Sequence, residues 1–191
     1  MIFKGPGGHS FVEFGRPSAT HTMGRAIAKI SDVKTTADPK TTFTVGTVRG
    51  GTSVNAIAGE ARMAIDMRSN STEELLKREK VVLALVADAV AEENKRWSAD
   101  TAAVEIKLIG ERPAGMVAAD SVIVQASRRT VAAVSRGPTV TLIGSSTDSN
   151  LAMSLGIPAV TIGGGGEVEI GTPCRNGTSR RRLISVRRTH C

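Results

Sequence analysis

Polar and apolar positions along the 191 residues alternate in two distinct periods. Ile2 and Phe3 end a first short strand at Met1–Lys4, and GPGGHS (Gly5–Ser10) follows as a turn. Beyond Pro17, the apolar residues Ala19, Met23, Ala26, Ile27 and Ile30 recur at three- and four-residue steps, which predicts a helix. Pro17 suits its first position, because a helix leaves its first N–H groups unbonded. Asp32–Lys40 is polar and contains Pro39, so it is expected as a loop. Thr42–Val48 sets Thr against Phe43, Val45 and Val48, the mark of a half-buried strand. Gly50-Gly51 turns the chain. In 61–67 the residues Ala61, Met63, Ile65 and Met67 share one face of a second strand.

Ser71 or Thr72 is placed to cap a long helix, with Glu73 and Glu74 favourable in its first turn. Its apolar stripe is Leu75, Val82, Leu85, Val86, Ala89 and Val90, and it runs to about Trp97. Val104, Ile106 and Leu108 predict another alternating strand. The order over residues 1–110 is therefore strand, helix, strand, strand, helix, strand, the ferredoxin-like βαββαβ arrangement. Arg112-Pro113-Ala114-Gly115 is an exit linker. A helix at about 119–134, an apolar strand at 139–143, a short helix from Ser149 to about Leu155 and a strand at 157–162 follow. They predict part of a parallel α/β sheet. The expected class is thus α/β (α+β).

Composition refines this picture. The net charge of +7 suggests nucleic acid at first, but the charge is not spread evenly. Arg175, Arg180, Arg181, Arg182, Arg187 and Arg188 lie in the last 21 residues, which contain no Asp or Glu, while the rest is close to neutral. The sheet offers only Phe3 and Phe43 for base stacking, so a ferredoxin-like nucleic-acid module with a basic tail is the lesser reading. Cys174 and Cys191 have no partners at metal-ligand spacing. No apolar run is long enough to span a bilayer, and the N-terminus has no signal pattern; a cytoplasmic location with no membrane partner is expected.

Four features together carry a resemblance: GPGGHS followed by FGRPSA and a helix; GGTSVNAIAGEARMAIDMRS; GSSTDSNLAMSLGIPAVTIGGGG; and the order of elements between them. From about Lys4 to Gly166 the chain resembles the zinc amidohydrolases that include carboxypeptidase G, peptidase T, acetylornithine deacetylase and succinyl-diaminopimelate desuccinylase. In that family a ferredoxin-like lid, which makes the dimer, is inserted into a zinc-binding α/β domain. The resemblance implies a lid/dimerisation domain at 1–112 with a truncated first strand and a partial α/β zinc-peptidase catalytic domain at 113–166. It also implies a homodimer acting on a peptide or N-acyl amino acid through water activated by two zinc ions.

The resemblance assigns roles as well. His9 matches the lid histidine that enters a partner subunit's active site and binds the scissile carbonyl oxygen as charge develops. Taken alone, His9 fits a loop histidine bonded to backbone better than a functional one. Asn55 matches a substrate-contacting Asn, against a plain turn residue. Arg68 matches an Arg that grips a substrate carboxylate, against a strand-end Arg at the surface. Ser146, Thr147 and Asp148 match a loop of the substrate cleft, against ordinary helix capping. Gly164 and Gly165 match the glycine loop that leads to the last zinc ligand.

The chain departs from the family in two places. The family's HxD pair, bridging Asp, base Glu and second carboxylate precede the lid and have no counterparts here, so no metal ligand is assigned and the chain alone is expected to be inactive. After the glycine loop, EVEIGTPCRNGTSRRR replaces a family segment of the form GGNxHSLDEWY. Reading the third base of each codon with the first two of the next permits GGNRHSLPEWY, so residues 167–191 are expected to be an out-of-frame tail.

Overall fold

In the computed structural model, residues 1–115, 117–134 and 147–162 are described. The predicted strand at 139–143, Ser146, Gly164, Gly165 and the tail lie outside them. Two units are distinct, Met1–Glu111 and Arg112–Cys191.

The first unit is built from β1 (Ile2–Lys4), β2 (Gly8–His9), α1 (Ala19–Ser31), β3 (Thr41–Gly50), β4 (Ala56–Ile57), β5 (Glu60–Ser69), α2 (Thr72–Trp97) and β6 (Ala103–Glu105). The main sheet has the order β3-β5-β1-β6 among the described residues, and every neighbouring pair is antiparallel. Thus β1 lies inside the sheet although it opens the chain. Its Phe3 pairs with Ala61 on one side and Val104 on the other and is 0% exposed. That burial removes Phe3 from any stacking role, and Phe43 packs partly buried against the same core.

The long strands show how sequence period becomes register. Phe43, Val45 and Val48 break strict alternation by one residue. The structure absorbs the extra residue as a bulge at Gly46: Val45 pairs with Ile65, and Thr47 pairs with Ala64. Without it, a one-residue slip would turn every later side chain to the wrong face. Past the bulge, Val48 faces Met63 and Gly50 faces Ala61. A Cβ on Gly50 would stand 2.7 Å from the Cβ of Ala61, so the close approach requires glycine.

The two helices pack on each other and on β5 through the stripes that periodicity predicted. Ala19, Met23, Ala26 and Ile30 of α1 meet Val82, Val86 and Ala89 of α2, all buried. Burying each such Val contributes roughly 1.5–3 kcal/mol. Pro17 lies outside the helix and Ser18 is the N-cap, yet the Ser18 side chain makes no capping bond. Glu93 instead anchors the main chain of the cap residue itself. It continues the α2 stripe one step beyond Ala89 and is 0% exposed. Its carboxylate accepts the Ser18 main-chain N–H (3.1 Å), Arg25 Nε (2.9 Å) and Trp97 Nε1 (3.1 Å). Burial pushes its pKa up, but the Arg25 hydrogen bond, the two N–H donors and the Arg25 charge together bring it below the ordinary carboxylate value.

Three sequence expectations are corrected here. GPGGHS is more than a turn, since Gly8–His9 forms a short ribbon with β4, itself unforeseen. The strand expected through Leu108 ends at Glu105; Ile106 and Leu108 are exposed, and with only three residues of β1 to pair with, the ladder has no further partner. The stretch 157–162 is not in a strand. Its expected neighbour, 139–143, is outside the described residues.

In the second unit, α3 (Val122–Val134) and α4 (Ser149–Ser154) form where the apolar pattern placed helices. No residue of α3 is buried. Among the described residues, no helix is long and apolar enough to cross a membrane.

Candidate functional site

The ribbon of β2 and β4 brings two sequence candidates together. His9 pairs with Ala56, and the Ser10 N–H bonds to the Asn55 carbonyl at 2.9 Å. Both His9 and Asn55 are exposed. The ribbon is tied to the rest of the unit by main-chain bonds from Gly5 to Gly59 and from Ala19 to Ala58, each 2.9 Å. Asn55 Oδ1 accepts the Ser53 hydroxyl at 2.6 Å, which orients the amide and leaves its NH2 as a donor.

His9 is held by its own loop. Its Nδ1 accepts the main-chain N–H groups of Phe11 (3.3 Å) and Val12 (3.4 Å). Its main-chain N–H donates to Glu13 Oε2 (2.7 Å), and its carbonyl accepts the Glu13 N–H (2.9 Å). The other Glu13 oxygen pairs with Arg16 at 2.7 Å. Gly8, at φ +140°, lies directly beneath the Glu13 carboxylate; a Cβ there would come within 2.5 Å of it. Farther along, the Phe14 ring meets Trp97 edge-on at 5.4 Å between centroids, and Trp97 in turn donates to Glu93. The C-terminal turn of α2 therefore props the His9 loop. Phe11 is 87% exposed and Val12 and Phe14 are also open, so the loop offers an apolar rim beside a donor.

Arg68 is elsewhere. It stands on β5 eight residues beyond Glu60, about 26 Å along a strand, and its Nε bonds to Asp66 at 2.7 Å. The structure does not bring Arg68 to His9 and Asn55. In the second unit, Thr147 is buried in a small polar knot. Its main-chain N–H donates to Asn150 (2.7 Å), and its hydroxyl accepts from Thr161 (2.8 Å) and the Ser149 N–H (3.1 Å). Asp148 is exposed and pairs with Arg112 at 3.2 Å.

The donors present do not fit a zinc site. No group of three or more His, Cys, Asp or Glu converges among the described residues. His9 Nδ1 and both Glu13 oxygens are already engaged by N–H groups and Arg16. Glu13 and Trp97 are the supports that sequence reading missed. Glu13 follows His9 by four residues, which is a detectable spacing, but nothing local ties Trp97 to Phe14 across 83 positions.

Comparison with known proteins gives a consistent picture. The family model described as "Peptidase dimerisation domain" matches residues 1–97. No curated protein matches the chain. Among solved structures, the chain is similar to aminopeptidase PepT from Bacillus cereus, with 25% identity and a TM-score of 0.57 over 82% of this chain and 40% of that one. A tripeptidase from Staphylococcus aureus is similar over the same shares, with 20% identity and a TM-score of 0.61. Aminobenzoyl-glutamate utilization protein from Klebsiella pneumoniae has 19% identity and a TM-score of 0.61 over 80% of this chain and 38% of that one. The chain thus spans about 40% of the length of these structures.

Proposed function

Because the chain belongs to the M20 peptidase dimerisation domain family, we propose that it serves as the lid and dimer-forming part of a di-zinc peptidase or deacylase, with part of the catalytic domain attached. The substrate class is a peptide or N-acyl amino acid, in a cytoplasmic setting without nucleic acid. The observation that carries this reading is the juxtaposition of His9 and Asn55 on the exposed β2–β4 ribbon. Two polar groups on a rigid ribbon suit the recognition of an amide that another chain holds, because both then need little reordering. His9 donates to the carbonyl oxygen where negative charge grows, and the Asn55 amide donates alongside it. A zinc pair held by residues outside those described would supply the activated water. Its ligands are not among the groups described above.

Dimerisation follows from the sheet. Strand β3 offers a ten-residue edge with no partner among the described residues, and Val48 is exposed on it. An open edge of that length is a template for a second copy. Sedimentation equilibrium tests the reading. A dimer is expected, and Val48→Lys should weaken it at least about tenfold, the effect of one charge on a strand edge. A chain that stays monomeric at about 100 μM, weaker than about −5.5 kcal/mol, would reject the dimer reading.

A further inference from the structure

Neutral imidazole carries one proton on either of two nitrogens, and its neighbours decide which. At His9 both neighbours of Nδ1 are main-chain donors, Phe11 N–H at 3.3 Å and Val12 N–H at 3.4 Å. Nδ1 must therefore be the acceptor, and the proton belongs on Nε2. The Phe11 and Val12 side chains take no part; they are turned to solvent. For the two amides to meet Nδ1, the main chain at His9 has to keep its orientation. Glu13 provides this by accepting the His9 N–H at 2.7 Å while its own N–H returns to the His9 carbonyl at 2.9 Å. Arg16 holds the second carboxylate oxygen at 2.7 Å, and the missing side chain at Gly8 leaves room for the carboxylate.

We infer that Glu13 is a positioning residue for His9: its clamp on the His9 main chain keeps Nδ1 on the Phe11 and Val12 amides and presents Nε2–H outward as a fixed donor. This rests on the proposed role of His9 at a carbonyl oxygen, and it adds how the donor is set before any ligand arrives. A preset donor avoids the reordering that a rotating, tautomerising ring would need.

The test is long-range 1H–15N correlation of the histidine rings in the full chain at alkaline pH, with His9 assigned by its loss in His9→Gln. A Gly-Gly-His-Ser peptide gives the reference ratio. The expected result is a pyridine-like Nδ1 and a pyrrole-like Nε2 at His9, with the Nε2–H form enriched about tenfold over the peptide, as two accepted N–H bonds imply. Glu13→Ala should return His9 to the peptide ratio. Glu13→Gln, which keeps an acceptor for the His9 N–H, should retain the enrichment, and so should Phe11→Ala, which keeps the main-chain donor. A peptide-like ratio in the parent chain, or an unchanged ratio in a folded Glu13→Ala, overturns the inference. Should Glu13→Ala not fold, the parent ratio and the Glu13→Gln and Phe11→Ala ratios decide. Failure here together with a dimer in sedimentation leaves the dimerisation reading standing; a monomer with the enriched tautomer does the reverse.

Discussion

At the scale of single residues, the decisive feature is a carboxylate in the core. Glu93 joins the two helices by accepting three N–H donors, one from the N-cap residue of α1. Removing its side chain leaves the buried Ser18 N–H and the half-buried Trp97 Nε1 without this acceptor. Glu93→Gln keeps one oxygen for Ser18 and Trp97 but loses the charge and turns an amide donor toward Arg25. We therefore expect it to cost about 1.5–3 kcal/mol, the range for hydrogen bonds to a charged group, with the Arg25 charge contributing less because it is 36% exposed. Urea melts would check this. The sign of the pH effect follows from the lowered pKa. An ionised Glu93 stabilises the fold fully above its ordinary value of 4.5, and this contribution is lost as pH falls through the lower folded value. The Tm of the parent chain should therefore fall more steeply below pH 4.5 than that of Glu93→Gln; parallel curves would contradict it.

At the scale of elements, the bulge in β3 and the cap of α2 make separate predictions. A Cβ on Gly46 would meet nothing within 4 Å, so Gly46→Ala should be tolerated or stabilise by up to about 1 kcal/mol. Deleting Gly46 should keep Val48 opposite Met63 and Gly50 opposite Ala61, because it removes the residue that the bulge absorbs. An insertion beside it should be far worse, since it would turn Val48 and Gly50 to the other face. Gly50→Ala should cost about 1–3 kcal/mol by overpacking against Ala61. Thermal melts of these variants give the order directly. Ser71 caps α2 by accepting the Glu74 N–H, but at 3.4 Å the bond is long. Ser71→Ala should therefore cost about 0.5 kcal/mol, the low end for a cap, while Ser69→Ala, which removes the acceptor of the Ser71 N–H, should cost more.

At the scale of the molecule, the two units differ in how they bury their apolar residues. Met1–Glu111 has a continuous core under its sheet. In the second unit, Val122, Val134, Leu151, Leu155, Ile157 and Ile162 are exposed. Such surface favours association. A chain cut after Glu111 should keep one cooperative thermal transition and bind less of a hydrophobic dye than the full chain, retaining the part owed to Phe11, Val12 and Phe14. Equal dye binding by both would show that the exposed residues of the second unit are not its source.

Sequence by itself determined the two helices and the long strands of the first unit and their buried faces, because periods of two and about 3.6 are local properties of a chain that must hide its apolar side. The stripes of α1 and α2 and the alternation of β5 were readable for that reason, whereas His9 was singled out only by the resemblance of GPGGHS to a family motif. Tertiary structure decided what depends on contacts between distant positions. It set the ribbon that joins His9 to Asn55, the separation of Arg68 from both, the early end of β6, the burial of Glu93 and the prop from Trp97 to the His9 loop. None of these has a local signature, since a hydrogen bond or a ring contact specifies a distance in space and leaves the sequence between its partners free.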